Sequence, residues 1–290
     1  MPHPSIAVVI ATRNRAARLA VTLERLSALP EDPEILVVDN ASTDDTRAMV
    51  AERFPAVGVL PMPDNLGPLA RNAGVRALRQ PYIAFSDDDS WWEPGSLAEA
   101  VRLLDDDPRI GLLAARTVVG AAREPDPVNG ALAASPLTGP VGLPGPPVLG
   151  FLGCAAVTRR SAYLAAGGYH PLLFIGGEET LLAYDLTVAG WTVAYAPELT
   201  AVHEPADDPR PERRAIMRRN ENLTAWLRRP LPVALRDTWR LAREAPADPV
   251  ARQALGQVVS RLPAAWRARR PLPPEVEADV RLLERAHVTA

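Results

Sequence analysis

Short apolar runs alternate with segments of helical spacing over the first hundred residues, and this alternation restricts the fold more than any other feature of the 290-residue chain. The apolar runs, which are typical of buried parallel strands, are residues 5–10, 34–38, 56–60 and 82–85. Leu19, Leu23 and Leu26 recur at helical spacing after the first run, and residues 70–78 predict another helix. Strands separated by helices predict an α/β fold with a mainly parallel sheet flanked by helices.

Polar clusters follow three of these predicted strands. Residues 12–15 follow the first strand, Asp39 follows the second, and Asp87, Asp88 and Asp89 follow the fourth. In open α/β sheets, ligands bind beyond the carboxyl ends of the strands. The sequence therefore predicts a ligand site at this edge of the sheet.

The rest of the chain divides into a loop, a second mixed segment and a helical region. Residues 120–150 hold seven prolines and six glycines, which predicts a long loop without regular structure. Residues 153–157 and 191–195 predict strands, and residues 161–166 and 178–190 predict helices. From residue 205 onward the helical pattern dominates.

Composition narrows the class of protein. Hydrophobic residues make up 47% and charged residues 23%, as in globular domains. A single cysteine, Cys154, excludes a disulfide framework and a cysteine-based zinc finger. The first residues lack the pattern of a signal peptide, and no apolar run reaches the ~18 residues of a membrane span. A cytoplasmic protein is expected.

Charge is distributed unevenly along the chain. Residues 205–290 contain 17 Arg and 11 acidic residues, a balance of +6, whereas the preceding part has 15 Arg and 24 acidic residues, a balance of −9. This spread favours a solvated helical face over a surface that binds an anionic partner, and no nucleic-acid partner is expected. Trp226, Trp239 and Trp266 lie among these arginines, so they either pack in a helical core or contact a membrane surface peripherally.

The three adjacent aspartates are the sharpest chemical signal. Neighbouring carboxylates raise one another's pKa values unless a cation neutralises them. Oxygen ligands of this kind favour Mg²⁺ or Mn²⁺, which commonly bridge to substrate phosphates. The alternative interpretation is a solvated acidic loop that precedes a helix, with Ser90 as its N-cap.

Five other residues have a structural interpretation, and for four of them a functional one stands beside it. Asp39 either accepts hydrogen bonds from a nucleotide or caps the next helix. Glu178 and Glu179 follow two glycines at a predicted helix start, where the helix dipole favours a carboxylate and where a base could take a proton from a hydroxyl. His203 is either a structural residue or a metal ligand. Cys154, among small apolar residues, predicts a buried, inert thiol.

Five segments, taken in order, resemble the family-2 glycosyltransferases of the GT-A fold. They are SIAVVIATRNR (5–15), EILVVDNASTDDT (34–46), DNLGPLARNAG (64–74), YIAFSDDDSWWEPGSL (82–97) and GGYHPLLFIGGEETLLAYDLTVAGWTVAYAPELTAVHEP (167–205). The resemblance implies a GT-A domain over residues 1–204 and an Arg-rich helical extension over 205–290. Within the domain, it implies a nucleotide-binding half (1–119), the Pro/Gly-rich loop (120–150) and an acceptor-side half (151–204).

The resemblance also implies roles for individual residues. The residues implied to bind the nucleotide sugar are Thr12, Arg13, Asp39, Arg71, Asp87 and Asp88. Thr12 and Arg13 correspond to a loop around the nucleotide, Asp39 to the acid that contacts the base, and Arg71 to a position near the base or its phosphates. Asp88 is expected at the ribose.

The metal and catalytic positions follow from the same comparison. Asp89 corresponds to the metal-binding acid of the DXD motif, and His203 corresponds to a histidine that completes the metal site. Glu178 and Glu179 correspond to the Glu-Asp pair of the family, whose second acid acts as the base toward the acceptor. The base is therefore assigned to Glu179, with Glu178 as the neighbouring catalytic acid.

Three positions depart from the family pattern. Where the family has a further acid and then an arginine, this chain has Leu181 and Asp185. Glu179 stands where the family has aspartate, which lengthens the side chain by one methylene. A shift of a proton acceptor on this scale affects catalysis strongly, so the choice between Glu179 and Glu178 depends on their geometry.

The resemblance implies a metal-assisted glycosyltransferase that uses Mn²⁺ or Mg²⁺ and inverts the anomeric centre. The expected donor is a UDP-, dTDP- or GDP-sugar, and the acceptor is a hydroxyl of a glycan, a lipid-linked glycan or a natural product. Two alternatives stay open: a nucleotide-sugar-binding protein that has lost catalysis, and a sugar nucleotidyltransferase. Peripheral membrane contact and a homo-oligomer are both compatible with the sequence.

Overall fold

A computed structural model describes residues 5–205 and 211–289, where nine strands form one sheet that carries helices on both faces. The strands are β1 (Ile6–Thr12), β2 (Glu34–Asp39), β3 (Gly58–Pro61), β4 (Tyr82–Ser86), β5 (Ser90–Trp92), β6 (Ile110–Val119), β7 (Glu124–Pro125), β8 (Ala156–Arg159) and β9 (Thr192–His203). The helices are α1 (Ala16–Ser27), α2 (Thr46–Arg53), α3 (Arg71–Ala77), α4 (Ser96–Asp106), α5 (Val128–Ala133), α6 (Arg160–Ala166), α7 (Glu178–Val188), α8 (Pro211–Arg228), α9 (Leu231–Glu244), α10 (Pro249–Arg267) and α11 (Pro274–Thr289).

The strand order is β3-β2-β1-β4-β8-β6-β9-β5, with β7 beside β6. The first four strands of this order are parallel. Strand β8 then runs antiparallel to both β4 and β6, β9 is parallel to β6, and β5 is antiparallel to β9. The predicted α/β sheet with flanking helices and a helical C-terminal region is confirmed, and its second half makes the sheet mixed.

The predicted strands agree with the structure most closely where apolar runs are short and buried. The runs at 34–38 and 82–85 coincide with β2 and β4, whereas the third strand begins at Gly58 instead of residue 56. The strand predicted at 153–157 is wrong in its first half, because regular pairing begins at Ala156, opposite Phe85 of β4. The strand predicted at 191–195 is the start of the longer β9.

The Pro/Gly-rich segment 120–150 contains regular structure that its composition did not predict. It includes β7 and the short helix α5. The side chain of Asp126 accepts a hydrogen bond from the Val128 N–H at 2.8 Å, and the Asn129 amide donates to the Thr117 carbonyl at 2.7 Å. The Thr117 N–H in turn donates to Asn129 Oδ1 at 2.9 Å. The two bonds between Asn129 and Thr117 attach the start of the segment to β6.

Alternate residues of β1 point into two cores. Val8 and Ile10 pack with Leu19 and Leu23 of α1 on one face of the sheet, and Val9 packs toward α3 on the other. Burying an apolar side chain of this kind contributes about 1.5–3 kcal/mol to the free energy of unfolding. The strands whose ends carry the polar clusters are therefore packed on both faces of the sheet.

The C-terminal helices pack against α7. Leu173 and Leu181 share an apolar cluster with residues of α8, α9 and α10, and Tyr184 of α7 packs with Val276 and Val280 of α11. The division at residue 204 stays a prediction, since residues 206–210 lie outside the described part of the chain, as do residues 1–4. None of the described helices combines the length and apolar composition that crossing a membrane requires.

Candidate active site

The loops after β1 and β4 are joined through Asp88. Thr12, at the end of β1, donates its hydroxyl hydrogen to Asp88 Oδ2 at 2.8 Å, and Thr22 of α1 donates to the Asp88 carbonyl at 3.0 Å. Burial raises the pKa of Asp88 to about 6; the Thr12 bond opposes this shift, and the neighbouring aspartates add to it. The aspartate run is thus a partly buried site and not a solvated loop. Arg13, which follows Thr12 in the chain, is exposed.

Asp39 is 1% exposed at the end of β2. Its carboxylate accepts the Ser42 N–H at 3.3 Å and lies 3.5 Å from Nε of Arg47. Helix α2 begins at Thr46, so Asp39 does not cap it. Its neighbour Asn40 fixes the chain before α3, because its amide donates to the Gly67 carbonyl at 3.2 Å. Asp39 therefore lies in an ordered turn next to the segment that leads to Arg71.

Arg71 lies at the centre of the site. It is 2% exposed, donates to the Ser86 carbonyl at 3.3 Å and forms an ion pair with Asp87. Its guanidinium also lies over the rings of Phe85 and Tyr169, 5.4 and 5.9 Å from their centroids. Its Nε is buried without a hydrogen-bond partner. Arg71 is thus a rigid buried cation beside the carboxylates.

The two predicted catalytic acids begin α7. Gly176 and Gly177 have φ angles of +87° and +85°, which glycine adopts without strain, and they turn the chain into the helix at Glu178. A Cβ atom at Gly153 would lie 2.7 Å from Arg71 Nη1 and 2.8 Å from Glu179 Oε1, so a side chain at this position would require Arg71 or Glu179 to move. Glu179 therefore faces the same point as Arg71.

The acids differ in exposure. Glu178 is 3% exposed, and its Oε2 has no hydrogen-bond partner, whereas Glu179 is only half-buried. Burial raises the pKa of Glu178 to about 8, and the charge of Glu179 adds to the shift. Burial also raises the pKa of Glu179, against the lowering effect of Arg71. A proton acceptor with a raised pKa is a stronger base.

Helix α8 holds the turn that precedes these acids. Asn220, which is fully buried, donates through its amide to the carbonyls of Leu173 at 2.9 Å, Ile175 at 2.8 Å and Gly176 at 2.5 Å. Arg219 also donates to the Leu173 carbonyl, at 2.6 Å. These two residues give the C-terminal helices a direct role in positioning Glu178 and Glu179, which the pattern of helical spacing did not reveal.

Asp89 and His203 meet through strand pairing. His203, at the end of β9, is opposite Ser90 of β5, and the Glu204 N–H donates to the Asp89 carbonyl at 2.8 Å. Asp89 Oδ1 and His203 Nε2 are 3.5 Å apart, and both side chains remain partly exposed. Burial would lower the pKa of His203, but the hydrogen bond and charge of Asp89 raise it overall. A carboxylate oxygen and an imidazole nitrogen so close together fit the ligand set of a divalent cation.

The family follows from a comparison with known proteins. Residues 7–165, more than half of the chain, match the model of glycosyl transferase family 2. The chain belongs to glycosyl transferase family 2. A curated relative from Mycobacterium tuberculosis (strain H37Rv), N-acetylglucosaminyl-diphospho-decaprenol L-rhamnosyltransferase, is 28% identical over 235 residues, which are 69% of this chain and 76% of the relative. The chain is a glycosyltransferase.

Solved structures share the fold of this glycosyltransferase. The mannosyltransferase PcManGT from Pyrobaculum calidifontis, in complex with GDP-Man and Mn²⁺, aligns with a TM-score of 0.60 at 20% identity over 99% of this chain and 81% of that chain. S. aureus TarS (residues 1–349), in complex with UDP-GlcNAc, aligns with a TM-score of 0.61 at 16% identity over 98% of this chain and 87% of that chain. Both likenesses support the GT-A fold.

Two of the three departures from the family pattern, Leu181 and Asp185 of α7, have structural partners in this glycosyltransferase. Leu181 is 1% exposed and packs in the apolar cluster with α8–α10. Asp185 forms an ion pair with Arg228 of α8, with contacts of 2.5 and 2.9 Å. Both residues therefore dock the C-terminal helices on α7. The acids at its first turn keep their place beside Arg71.

Sequence reasoning missed the place of Cys154. The thiol is buried, as predicted, and burial, assisted by Asp87, raises its pKa well above the ordinary value. It lies within the candidate site, because its sulfur, an Asp87 oxygen and a His203 ring nitrogen all lie within 4.8 Å of one another. This position follows from the antiparallel pairing of β8 with β4, which no periodicity in the sequence signals.

Proposed function

We propose that this glycosyltransferase moves a sugar from a nucleoside-diphosphate sugar to an acceptor hydroxyl, with inversion and with the help of a divalent cation. The observation that supports this most is the convergence of Glu179 and Arg71 at Gly153, beside the aspartates that follow β4. A base on one side and a cation-binding acid cluster on the other suit an in-line displacement, in which the diphosphate leaves as the hydroxyl attacks.

The donor binds at the ends of β1, β2 and β4 in this proposal. Thr12 and Arg13 lie along the nucleotide, Asp39 contacts the base and Asp88 contacts the ribose. Arg71 and Asp87 form the floor of the site, where the ion pair between the buried Arg71 and the partly exposed Asp87 fixes the charge arrangement before the donor arrives.

Asp89 and His203 hold the cation in this proposal. When bound, a divalent cation there supplies Lewis-acid stabilisation of the charge that develops on the departing diphosphate. The imidazole suits a transition metal such as Mn²⁺ better than Mg²⁺, which prefers oxygen ligands.

Glu179 acts as the base, because it is the more open of the two acids and faces Arg71 across Gly153. Glu178 is a buried neighbour whose pKa is raised by burial and by the charge of Glu179. The acceptor approaches from the side of α7 and α8, where the exposed Phe174 and Met217 lie near Gly67 and Gly176. The donor is a UDP-, dTDP- or GDP-sugar; the two neighbouring structures were obtained with GDP-Man and UDP-GlcNAc.

A donor panel tests this function. The chain is incubated with UDP-, dTDP- and GDP-sugars, with and without Mn²⁺, and nucleoside diphosphate is measured by chromatography, with water serving as a slow acceptor. We expect one donor class to release nucleoside diphosphate in the presence of Mn²⁺. Binding without release would favour a protein that has lost catalysis. Release of pyrophosphate from a nucleoside triphosphate and a sugar 1-phosphate would instead favour a nucleotidyltransferase.

An exposed apolar stripe on α9 supports the peripheral membrane contact predicted from the sequence. Leu231, Leu235 and Trp239, spaced by four residues, are 38%, 51% and 67% exposed and lie within an arc of about 80° on the helix. The exposed arginines Arg236 and Arg240 lie along one side of this stripe. An apolar face beside arginines suits the surface of an anionic bilayer. Of the other tryptophans named above, Trp226 is buried and Trp266 is exposed.

Vesicle binding tests this contact. The double variant Leu235→Ser/Trp239→Ser is expected to bind phosphatidylglycerol vesicles at least about 10-fold more weakly than the unchanged protein in a sedimentation assay, because it removes two apolar side chains worth more than 1.4 kcal/mol together. Val21→Ser, at a 43% exposed apolar residue of α1, is the matched control. Equal binding by the double variant and the unchanged protein would show that α9 makes no membrane contact.

A further inference from the structure

Three possible metal ligands of different chemistry meet beneath the acid cluster. Asp87 offers a carboxylate oxygen, Cys154 a sulfur and His203 a ring nitrogen, and these atoms all lie within 4.8 Å of one another. Asp87 follows β4, Cys154 precedes β8 and His203 ends β9. Ligands held by three separate elements of one sheet are positioned by the fold itself.

The strand pairing explains why these residues meet. Phe85 of β4 is opposite Ala156 of β8 in an antiparallel pair. Asp87, two residues after Phe85, therefore lies next to Cys154, two residues before Ala156. His203 reaches the same point from β9, which pairs with both β5 and β6. The cluster therefore needs only side-chain movement to close on an ion.

The chemistry of this cluster differs from that of the pair Asp89 and His203. A thiolate is a soft ligand and selects thiophilic ions, whereas Mn²⁺ and Mg²⁺ prefer oxygen. Zinc bound by sulfur, nitrogen and oxygen has metal–ligand distances of about 2.0–2.3 Å, which place tetrahedral ligand atoms about 3.5 Å apart. Closing from the observed spacing requires movements of about 1 Å, which rotation of these side chains supplies.

We propose that Asp87, Cys154 and His203 form a binding site for a thiophilic divalent cation such as Zn²⁺. The site shares His203 with the pair Asp89 and His203, so an ion in one excludes an ion from the other, and Zn²⁺ competes with Mn²⁺. The Asp87 carboxylate has two oxygens, of which Oδ1 pairs with Arg71, so the second is available to the ion. The thiol binds as thiolate and releases its proton to solvent. Two anionic ligands and a neutral imidazole balance the charge of the ion.

Cobalt spectroscopy tests this site, and the test needs neither a sugar donor nor transfer activity. The full-length, chelator-treated protein is titrated with Co²⁺, and absorbance is recorded in the near-ultraviolet, where cobalt–thiolate charge transfer appears. Because Cys154 is the one cysteine in the chain, any thiolate band reports this residue. We expect the band in the unchanged protein and its loss in Cys154→Ser and Cys154→Ala, with Zn²⁺ displacing Co²⁺ in the unchanged protein.

Affinities for two ions complete the test. Cys154→Ala is expected to lower the affinity for Zn²⁺ by at least about 10–100-fold, the range seen when even an indirect partner of a metal is removed. The same variant should leave the affinity for Mn²⁺, measured by electron paramagnetic resonance, within about twofold, because Mn²⁺ gains little from sulfur. Asp89→Asn should lower the affinity for Mn²⁺ and leave the affinity for Zn²⁺ nearly unchanged. It should also keep the cobalt–thiolate band.

Each contrary result overturns the inference. Absence of the band in cobalt-treated unchanged protein, or equal Zn²⁺ affinity in Cys154→Ala, would show that the thiol does not bind metal. Loss of the band in Asp89→Asn would show that Asp89, and not Asp87, completes the site. Failure of sugar transfer in the donor panel would leave these outcomes untouched, so the two proposals fail separately.

Discussion

Replacing Glu179 with glutamine is expected to lower the rate of sugar transfer by about 10²–10⁴-fold, the usual contribution of a general base. Glutamine matches glutamate in size and fits the space beside Gly153, but its amide cannot take a proton from the acceptor hydroxyl. Donor binding should persist, because the donor contacts lie at the ends of β1, β2 and β4. Transfer is measured with the donor class found in the panel, and donor binding is measured by calorimetry.

Two further variants complete this comparison. Glu99→Gln, in the first turn of α4, replaces a glutamate that also follows a left-handed glycine, and it should transfer at the unchanged rate. The rate of the unchanged protein should rise with pH through the raised pKa of the acid pair, because the carboxylate form is depleted below that pKa. If Glu178→Gln abolishes transfer while Glu179→Gln does not, the base is Glu178.

The sequence predicts best those strands whose apolar residues are also the ones buried in the sheet. Strands β1, β2 and β4 are short apolar runs that end on polar residues, so both their existence and the edge of the sheet that carries the site could be predicted. Strand β6, with the sequence IGLLAARTVV, mixes helix-forming alanine and leucine with a strand-like end, and no prediction covered it. Strand β5 is three residues long, too short for periodicity to show.

Of the contacts in the candidate site, those between neighbouring parallel strands could be predicted. Thr12 and Asp88 follow adjacent strands of one parallel sheet, so their proximity follows from topology. The contact of Cys154 with Asp87 and His203 depends on β8, which runs antiparallel between β4 and β6. The apolar periodicity of a strand does not show which way the strand runs or between which neighbours it lies. A small buried thiol also has the same sequence context as other core residues.

The packing of the C-terminal helices against the rest of the chain could not be predicted from local sequence patterns either. Asn220 reaches three carbonyls of the turn before α7, and Arg228 pairs with Asp185. These contacts join residues 43–47 positions apart, and local spacing does not encode them. The charge balance of +6 beyond residue 204 suggested a solvated face, yet Arg219, Arg228 and Arg229 are buried. Charge counted along the sequence does not separate exposed arginines from arginines that serve packing.

Replacing Asp89 with asparagine should remove most of the metal-dependent binding of the donor. The change keeps the size of the side chain and the hydrogen bond from the Glu204 N–H to the Asp89 carbonyl, but it removes the charged oxygen next to His203. A metal ligand contributes more than the indirect partners whose loss costs about 10–100-fold, so we expect a loss of about 100-fold or more in the affinity for nucleoside diphosphate with Mn²⁺. Asp106→Asn, at an exposed ion pair of α4, should bind as the unchanged protein does.

Calorimetric titration of UDP, dTDP and GDP into these three proteins, with and without Mn²⁺, is the most direct measurement of how the donor is held. We predict that one diphosphate binds the unchanged protein and Asp106→Asn tightly when Mn²⁺ is present, and that Asp89→Asn loses this Mn²⁺-dependent binding. Equal affinity and equal Mn²⁺ dependence in Asp89→Asn would contradict the assignment of Asp89 and His203 as the cation site of this glycosyltransferase.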